Sequence, residues 1–444
     1  MINRMVMFFV NLMNKYLPDP FTVAWLITLV VVAMAFAFTS ATPGEVIGYW
    51  GDGFYDLLAF AMQMSLVLVT GYALADAAVI QKAMRALVRI PKTPQQTVFF
   101  VSLASAILCY LNWGLCIIAG AFLAREAARA HPDVDIRLIV AAGFSGIIVT
   151  HGGLSASIPL LINTQGHFLQ QEIGLIPLEQ TIFAPQALVI TILLLICIPF
   201  CCLLMMPKKG QEVLVDPSVF DDAPSGLEVK TSDKPTFIAD RLEQSKILKY
   251  LLGFSGLGYL AYTWATKGLV FNLNILIFLF LVLGILAHGT LLDYARSITR
   301  GATTCGGIIL QYPFYAGIMG IMKGSGLVFI ISDALLAISN AHTFELMCYL
   351  SSMIISIFVP SAGGHWAVQA PFMLPAAQVL EVETWKVAMG VAWGESIWNI
   401  VTPFWALPVL AITKTSLRDL IGFTVFLWIV GNIIVIPCIL FIGN

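Results

Sequence analysis

The chain has 444 residues, 59% of them hydrophobic and only 11% charged, with a mean hydropathy of +0.90. Soluble globular domains run about 45–50% apolar and about 25% charged, so this composition excludes a soluble enzyme and a disordered chain. A net charge of −2 offers no basic surface for nucleic acid. At roughly 20 apolar residues per crossing, the chain reads as an all-α polytopic membrane protein.

In chain order, residues 3–17 read as an interfacial helix. They precede Leu17-Pro-Asp-Pro20 and an apolar stretch at 21–38, too long and too late for a signal peptide and so a retained span. Further apolar stretches lie at 57–75, 97–124, 136–163 and 182–206. The polar stretch Pro207–Lys249 carries seven basic and eight acidic residues and reads as a solvated linker. Apolar stretches resume at 247–264, 269–287, 301–322, a short 327–338, then 346–380, 385–412 and 419–441. The eight Cys all fall in apolar stretches without C-x-x-C spacing, which suits small packing residues.

The basic residues decide how these stretches cross. If every stretch were one crossing, the basic loops Lys82–Lys92 and Arg125–Arg137 would face opposite sides, against the positive-inside bias. If 97–124 and 346–380 are re-entrant hairpins, the bias is restored. Of the 23 Lys and Arg, only Lys267, Lys323 and Lys386 then fall outside. This arrangement gives about nine full crossings plus two hairpins, an N-terminus in the cytoplasm and a C-terminus outside. The hairpins enter from opposite sides. Each precedes a Gly/Pro-interrupted stretch, 136–163 or 385–412, and then a plain span. That order is expected of two inverted-topology repeats, 1–206 and 247–444, joined by a linker at 207–246. In secondary transporters of this kind the substrate lies where broken helices meet near the midplane.

Irregular backbone at membrane depth must be buried or line a wet cavity. The first hairpin turns at Asn112-Trp113-Gly114. The first break carries Thr150-His-Gly-Gly-Leu-Ser-Ala-Ser157. The second hairpin turns at Pro360-Ser-Ala-Gly-Gly-His-Trp366, and the second break carries Trp393-Gly-Glu-Ser396, Asn399, Thr402 and Pro403. No Lys or Arg falls deep in a span. A bound anion therefore relies on helix N-termini and neutral donors: Asn112, Ser155, Ser157, Ser361 and His365. Trp113, Trp366, Trp393, Trp398 and Trp405 fall in the break segments and suit a pocket wall for a small apolar tail, or core packing.

Glu395 is the acid nearest the middle of an apolar stretch. Such a residue is a functional candidate by default, here to take a proton or to coordinate a cation with Thr402. His151 and His365 sit at breaks of opposite halves, as proton relays, donors or structural hydrogen-bonding groups. Gly143-Phe-Ser145-Gly146 matches a serine-hydrolase tetrad, a remote alternative in which Ser145 would be the nucleophile. Nothing in the chain reads as a channel filter. No cofactor is implied beyond a coupling proton or sodium ion.

Several strings resemble the bacterial short-chain fatty acid transporter family: Leu17-Pro-Asp-Pro20, Tyr49-Trp-Gly-Asp-Gly-Phe54 with Leu57–Met64, Asn112-Trp-Gly114, Arg241–Lys246, Gln311-Tyr-Pro-Phe-Tyr-Ala-Gly317, Pro360–Gln378 and Pro403-Phe-Trp-Ala-Leu-Pro408. The match runs in order along essentially the whole chain. The resemblance implies an inner-membrane secondary transporter, not an enzyme, importing acetoacetate and butyrate. It also implies a homodimer in the bilayer, in which a moving domain of two hairpins and two broken helices works against a scaffold. By motif match it marks Asn112, Gly363, Gly364, His365, Trp366, Gly394 and Glu395 as site residues. Ala362 stands where Gly is usual and His151 where an aromatic is usual, so no role for His151 carries over. A transporter of the same architecture for a dicarboxylate or another small organic anion is the alternative reading.

Overall fold

The computed structural model describes residues 18–220, 237–357 and 359–442. The interfacial helix expected at 3–17 lies outside them, as does the middle of the linker. Among the described residues all regular structure is helical. The first half opens with α1 (Pro20–Phe38), α2 (Pro43–Gly53), α3 (Leu58–Asp76) and the short α4 (Ala78–Leu87). Local chemistry sets the starts. Asp19 accepts the Phe21 N–H at 2.9 Å, and Thr42 and Glu45 form a reciprocal capping box. Next come α5 (Pro94–Leu111) and α6 (Trp113–Ala130), separated by Asn112 alone.

These two helices form a hairpin. Ser105 of α5 faces Cys116 of α6 at the closed end. At the open end the His131 ring meets the Val88 carbonyl at 3.0 Å, so the chain returns to where the hairpin began. The following segment is broken, as its glycines suggest. It comprises α7 (Ile136–Phe144), a 3-10 segment (Ser145–Gly152), an irregular turn and α8 (Ser157–Ile162). Eight residues is long for a 3-10 helix, a geometry that often marks strain or function. Gly120 and Gly143 let α6 and α7 touch backbone to backbone. A Cβ at Gly120 would meet the Gly143 carbonyl oxygen at 2.2 Å. The short α9 (Gln170–Ile173) and the plain helix α10 (Pro185–Leu204) complete this half.

The second half contains α11 (Ile238–Glu243), α12 (Lys246–Lys267), α13 (Leu273–Ala287), α14 (Leu291–Ala302), α15 (Gly306–Gly324) and α16 (Leu327–Leu336). Its hairpin is α17 (Phe344–Ser356) and α18 (Ala362–Val379). The pairs Cys348–Met373, Ser351–Gln369 and Ser356–His365 run antiparallel down it. Then come α19 (Thr384–Asn399) and α20 (Pro403–Thr413), which meet at a 41° bend, and finally α21 (Leu417–Ile442).

Contacts repeat when the halves are exchanged. α1 and α2 pack on α15 as α13 and α14 pack on α3. α3 and α4 pack on α6 as α15 and α16 pack on α18. The two breaks touch each other, and so do the two plain helices α10 and α21. This exchange is what two structurally equivalent repeats require, although their sequences share little.

By length and apolarity seven helical segments suit a membrane crossing, or eight if α19 and α20 count as one. Nine were expected. The difference has identifiable causes. α13 has only 15 residues, about 22 Å at 1.5 Å per residue against a hydrocarbon core of about 30 Å. α12 carries Lys246, Lys249 and Lys267. α5 qualifies by composition although it is one arm of a hairpin. The broken segment Ile136–Ile162 is 94% buried, so its irregular backbone faces protein rather than lipid, as it must.

The beginning of the linker is not simply solvated. Val213 pairs with the α7 start, donating to Asp135 Oδ2 at 2.9 Å and accepting from the Ile136 N–H at 2.9 Å, and Phe220 is buried. Asp135 caps α7 and binds the Arg137 guanidinium at 2.6 Å. Burial alone would raise its carboxyl pKa, but the bonds from Arg137, Val213 and Leu138 outweigh this and hold it below the usual carboxylate range.

Candidate binding site

Both hairpin tips and both breaks converge on one cavity. It encloses about 610 Å³ of space, counting its open mouth. Trp113 and Ile117 enter from the first tip; Pro360, Ser361, Ala362 and Gly363 come from the second. Ile147, Thr150, His151 and Ser157 line it from the first break, and Glu395, Asn399, Phe404 and Trp405 from the second. A wall that the breaks alone do not predict comes from α3 and α15: Met64, Gly307, Ile308, Gln311 and Tyr312.

The lining is apolar with a few polar groups and no Lys or Arg. His151 and Glu395 dominate its electrostatics. His151 Nε2 lies 2.5 Å from Glu395 Oε2, and each residue is only 1% exposed. The pair joins the two halves across the breaks. A neighbouring bond supports it, Ser396 Oγ donating to the Ile148 carbonyl at 3.0 Å. Five buried polar atoms on lining residues have no partner within the protein: His151 Nδ1, Glu395 Oε1, Asn399 Oδ1, Trp113 Nε1 and Trp405 Nε1. Buried polar groups are nearly always satisfied, so this cluster is suited to a ligand or water.

The second tip also presents main-chain donors. Ser361 begins α18 but its side chain does not cap the helix; its hydroxyl donates instead to Tyr312 Oη at 2.9 Å. α18 thus starts without a side-chain cap, and its first residues, with Ser361 before them, line the cavity at the positive end of the helix dipole. α20 likewise starts without a side-chain cap; the Thr402 hydroxyl donates back to the Trp398 carbonyl at 3.2 Å. The first tip differs. Asn112 Oδ1 accepts the Leu115 N–H at 2.9 Å and so closes its own helix end.

The other sequence candidates fall behind this surface. Asn112 is fully buried at the hairpin turn. Ser155 accepts the Trp113 N–H at 2.9 Å and ties the tip to the break. Gly114 lies against α3, where a Cβ would meet Leu68 Cα at 2.9 Å. Gly364 packs on the Tyr315 ring, and Gly394 on the Tyr349 carbonyl and Ser352 of α17. His365 is fully buried and already bonded, to Ser356 at 3.1 Å and Gln369 at 2.5 Å. Of the five clustered Trp, only Trp113 and Trp405 line the cavity. They meet edge to face with ring centroids 5.7 Å apart. Trp366 and Trp393 are wholly buried, and Trp398 packs on Trp428.

Ser145 is no nucleophile in this geometry. It is fully buried, donates to the Ala142 carbonyl and shares a bond with Ser102, and no histidine is among its partners. Two features escaped the sequence. His151 was visible as a histidine at a break, but its partner lies 244 positions away. Glu345, buried on α17, sits too near a stretch boundary to register as an intramembrane acid.

A family model described as short chain fatty acid transporter matches residues 1–442. A protein of Escherichia coli (strain K12) that bears a short-chain fatty acid transporter name is 39% identical over 425 residues, 96% of each chain. One of Haemophilus influenzae with the same name is 38% identical over 430 residues, 95% of this chain and 96% of that one. The crystal structure of the Alcanivorax borkumensis YdaH transporter, described as having an unusual topology, superposes with a TM-score of 0.58. It is 15% identical and covers 96% of this chain and 98% of that one, a likeness of fold. These relatives are transporters rather than enzymes, and the chain is membrane-integral. It belongs to the short-chain fatty acid transporter family.

Proposed function

We propose that this protein imports short-chain monocarboxylates such as acetoacetate and butyrate across the bacterial inner membrane, driven by a coupled cation. The observation that carries the reading is the single cavity where both hairpin tips and both breaks meet, apolar, without Lys or Arg, and facing an uncapped helix start. A monocarboxylate fits these features. Its carboxylate lies against the uncapped start of α18 and its short tail against Trp113, Trp405 and Met64. A dicarboxylate would bring a second negative charge, and the described lining has no Lys or Arg to meet it.

The hairpins are read as re-entrant, entering from opposite faces, in a chain of about nine crossings with its N-terminus in the cytoplasm. The cavity lies between the hairpin domain and the helices α3 and α15. Alternating access then follows if the hairpins and breaks slide as a body past a scaffold of α1, α3, α13 and α15, the elevator arrangement, in a homodimer. Glu395, with Thr402 near it in sequence, is the acid placed to carry the coupling ion.

Uptake of labelled butyrate and acetoacetate into proteoliposomes tests this, with pH and sodium gradients imposed separately. Uptake of at least one compound, accelerated by one of the gradients, is expected. No uptake of either compound under any gradient rejects the reading.

A further inference from the structure

The pair His151–Glu395 is unusual for a site that takes an anion. It places a carboxyl group in the cavity, with no Lys or Arg to offset it. We propose that this pair is the coupling element and the coupling ion is a proton: one proton binds with each carboxylate, and protonated His151 is the positive donor to the substrate. The inference rests on the transport reading above.

With one proton between them the imidazole and the carboxyl are neutral as a pair, whichever residue holds it. A substrate carboxylate then leaves the cavity at −1. An uncompensated charge in a buried site is strongly disfavoured, and the described lining supplies no fixed cation to cancel it. A second proton on the pair does. Glu395 is then the neutral acid and His151 the imidazolium. Both nitrogens of an imidazolium donate. Nε2 is already committed to Glu395, and Nδ1, which has no partner in the protein, is left for the carboxylate. Histidine suits the task because its ordinary pKa lies in the physiological range.

The surroundings leave the pair in charge of this step. His365 on α18 and Tyr312 on α15 are near enough to interact electrostatically with Glu395. His365 is bonded to Ser356 and Gln369, and Tyr312 to Ser361. Among the elements packed on the 3-10 segment, α5, α6, α10 and α21 bring thiols, the buried ones being Cys109, Cys116, Cys202 and Cys438. The Arg and Lys of α6, α7, α19 and α21 lie toward helix ends, and none lines the cavity. The location matters as well. One partner belongs to each half, so the protonation state of the pair is felt at the contact between the two breaks. The proton and the carboxylate leave together, and no covalent bond changes.

Calorimetric titration of the purified full chain with butyrate and acetoacetate, in buffers of different ionisation enthalpy, reads the proton count. The window is about pH 6 to 8, where these ligands are ionised. The wild type is expected to take up close to one proton per ligand bound, with affinity weakening by up to about tenfold per pH unit as the pH rises. In His151→Gln the proton uptake and the pH dependence of affinity disappear. In Glu395→Gln only His151 is left to accept the proton, so the charge count predicts weakened binding that still takes up a proton. Binding by the wild type without proton uptake, or binding that needs sodium instead, overturns the proposal, and so does undiminished proton uptake in His151→Gln. If the variants do not fold, the wild-type proton count alone decides it. Failure of both ligands to bind at all removes the transport reading, and this one with it.

Discussion

At the scale of residues, the site works with very little charge. Its polar equipment is one histidine–glutamate pair, a few neutral side chains and a helix start, and the rest is apolar wall. The wall has a definite role to test. Trp405 stands edge to face with Trp113 at 5.7 Å and lines the cavity from α20. Trp405→Ala removes most of one side of the tail pocket without touching the His151–Glu395 pair. Its KM for butyrate is expected to rise about tenfold, roughly 1.4 kcal/mol, in proteoliposome uptake, and less for shorter acids that reach the wall less. An unchanged KM places the tail elsewhere. Much of this site was legible from residue type alone: Glu395 from the cost of burying an acid, and the break glycines from the backbone they permit. His365 was misleading for the same reason. A histidine at a Gly-Gly turn looks like a donor to a ligand, yet Ser356 and Gln369 occupy both its nitrogens. Only three-dimensional packing distinguishes the two, and no local pattern encodes it.

At the scale of elements, the hairpins and breaks are consequences of capping and packing. Asn112 ends α5 and caps α6 within a single residue, which is why the first hairpin turns so sharply. Ser361 does not cap α18 and donates its hydroxyl to Tyr312, so the start of this helix lies uncapped beside the cavity. The charge pattern anticipated that both ends of 97–124 lie together, and the bond from His131 to the Val88 carbonyl brings them together. Thiol labelling from either side of the membrane checks which side this is. Thr93→Cys and Asp133→Cys are both exposed positions flanking the hairpin. Both are expected to react only with reagent that reaches the cytoplasmic face. Opposite accessibility would make 97–124 a true crossing. The second wall of the cavity, from α3 and α15, was not legible in this way. Met64, Gln311 and Tyr312 lie in unbroken helices, and unbroken apolar helices give no local signal of what they face.

At the scale of the whole molecule, the exchanged contacts between halves place the two breaks against each other and the cavity beside them. The likeness in fold to the YdaH transporter covers nearly the full chain at 15% identity. The central claim is that the cavity between hairpin tips, breaks and α15 is the substrate pathway. The most direct measurement is counterflow of labelled butyrate in proteoliposomes holding the same amount of monodisperse wild type or Ser361→Phe, a substitution that fills the cavity from the second tip. Counterflow needs no driving gradient, so it isolates substrate passage from ion coupling. Exchange is expected in the wild type and its loss, at least tenfold, in Ser361→Phe. Exchange at the wild-type rate in the folded variant would contradict the account and put the pathway elsewhere.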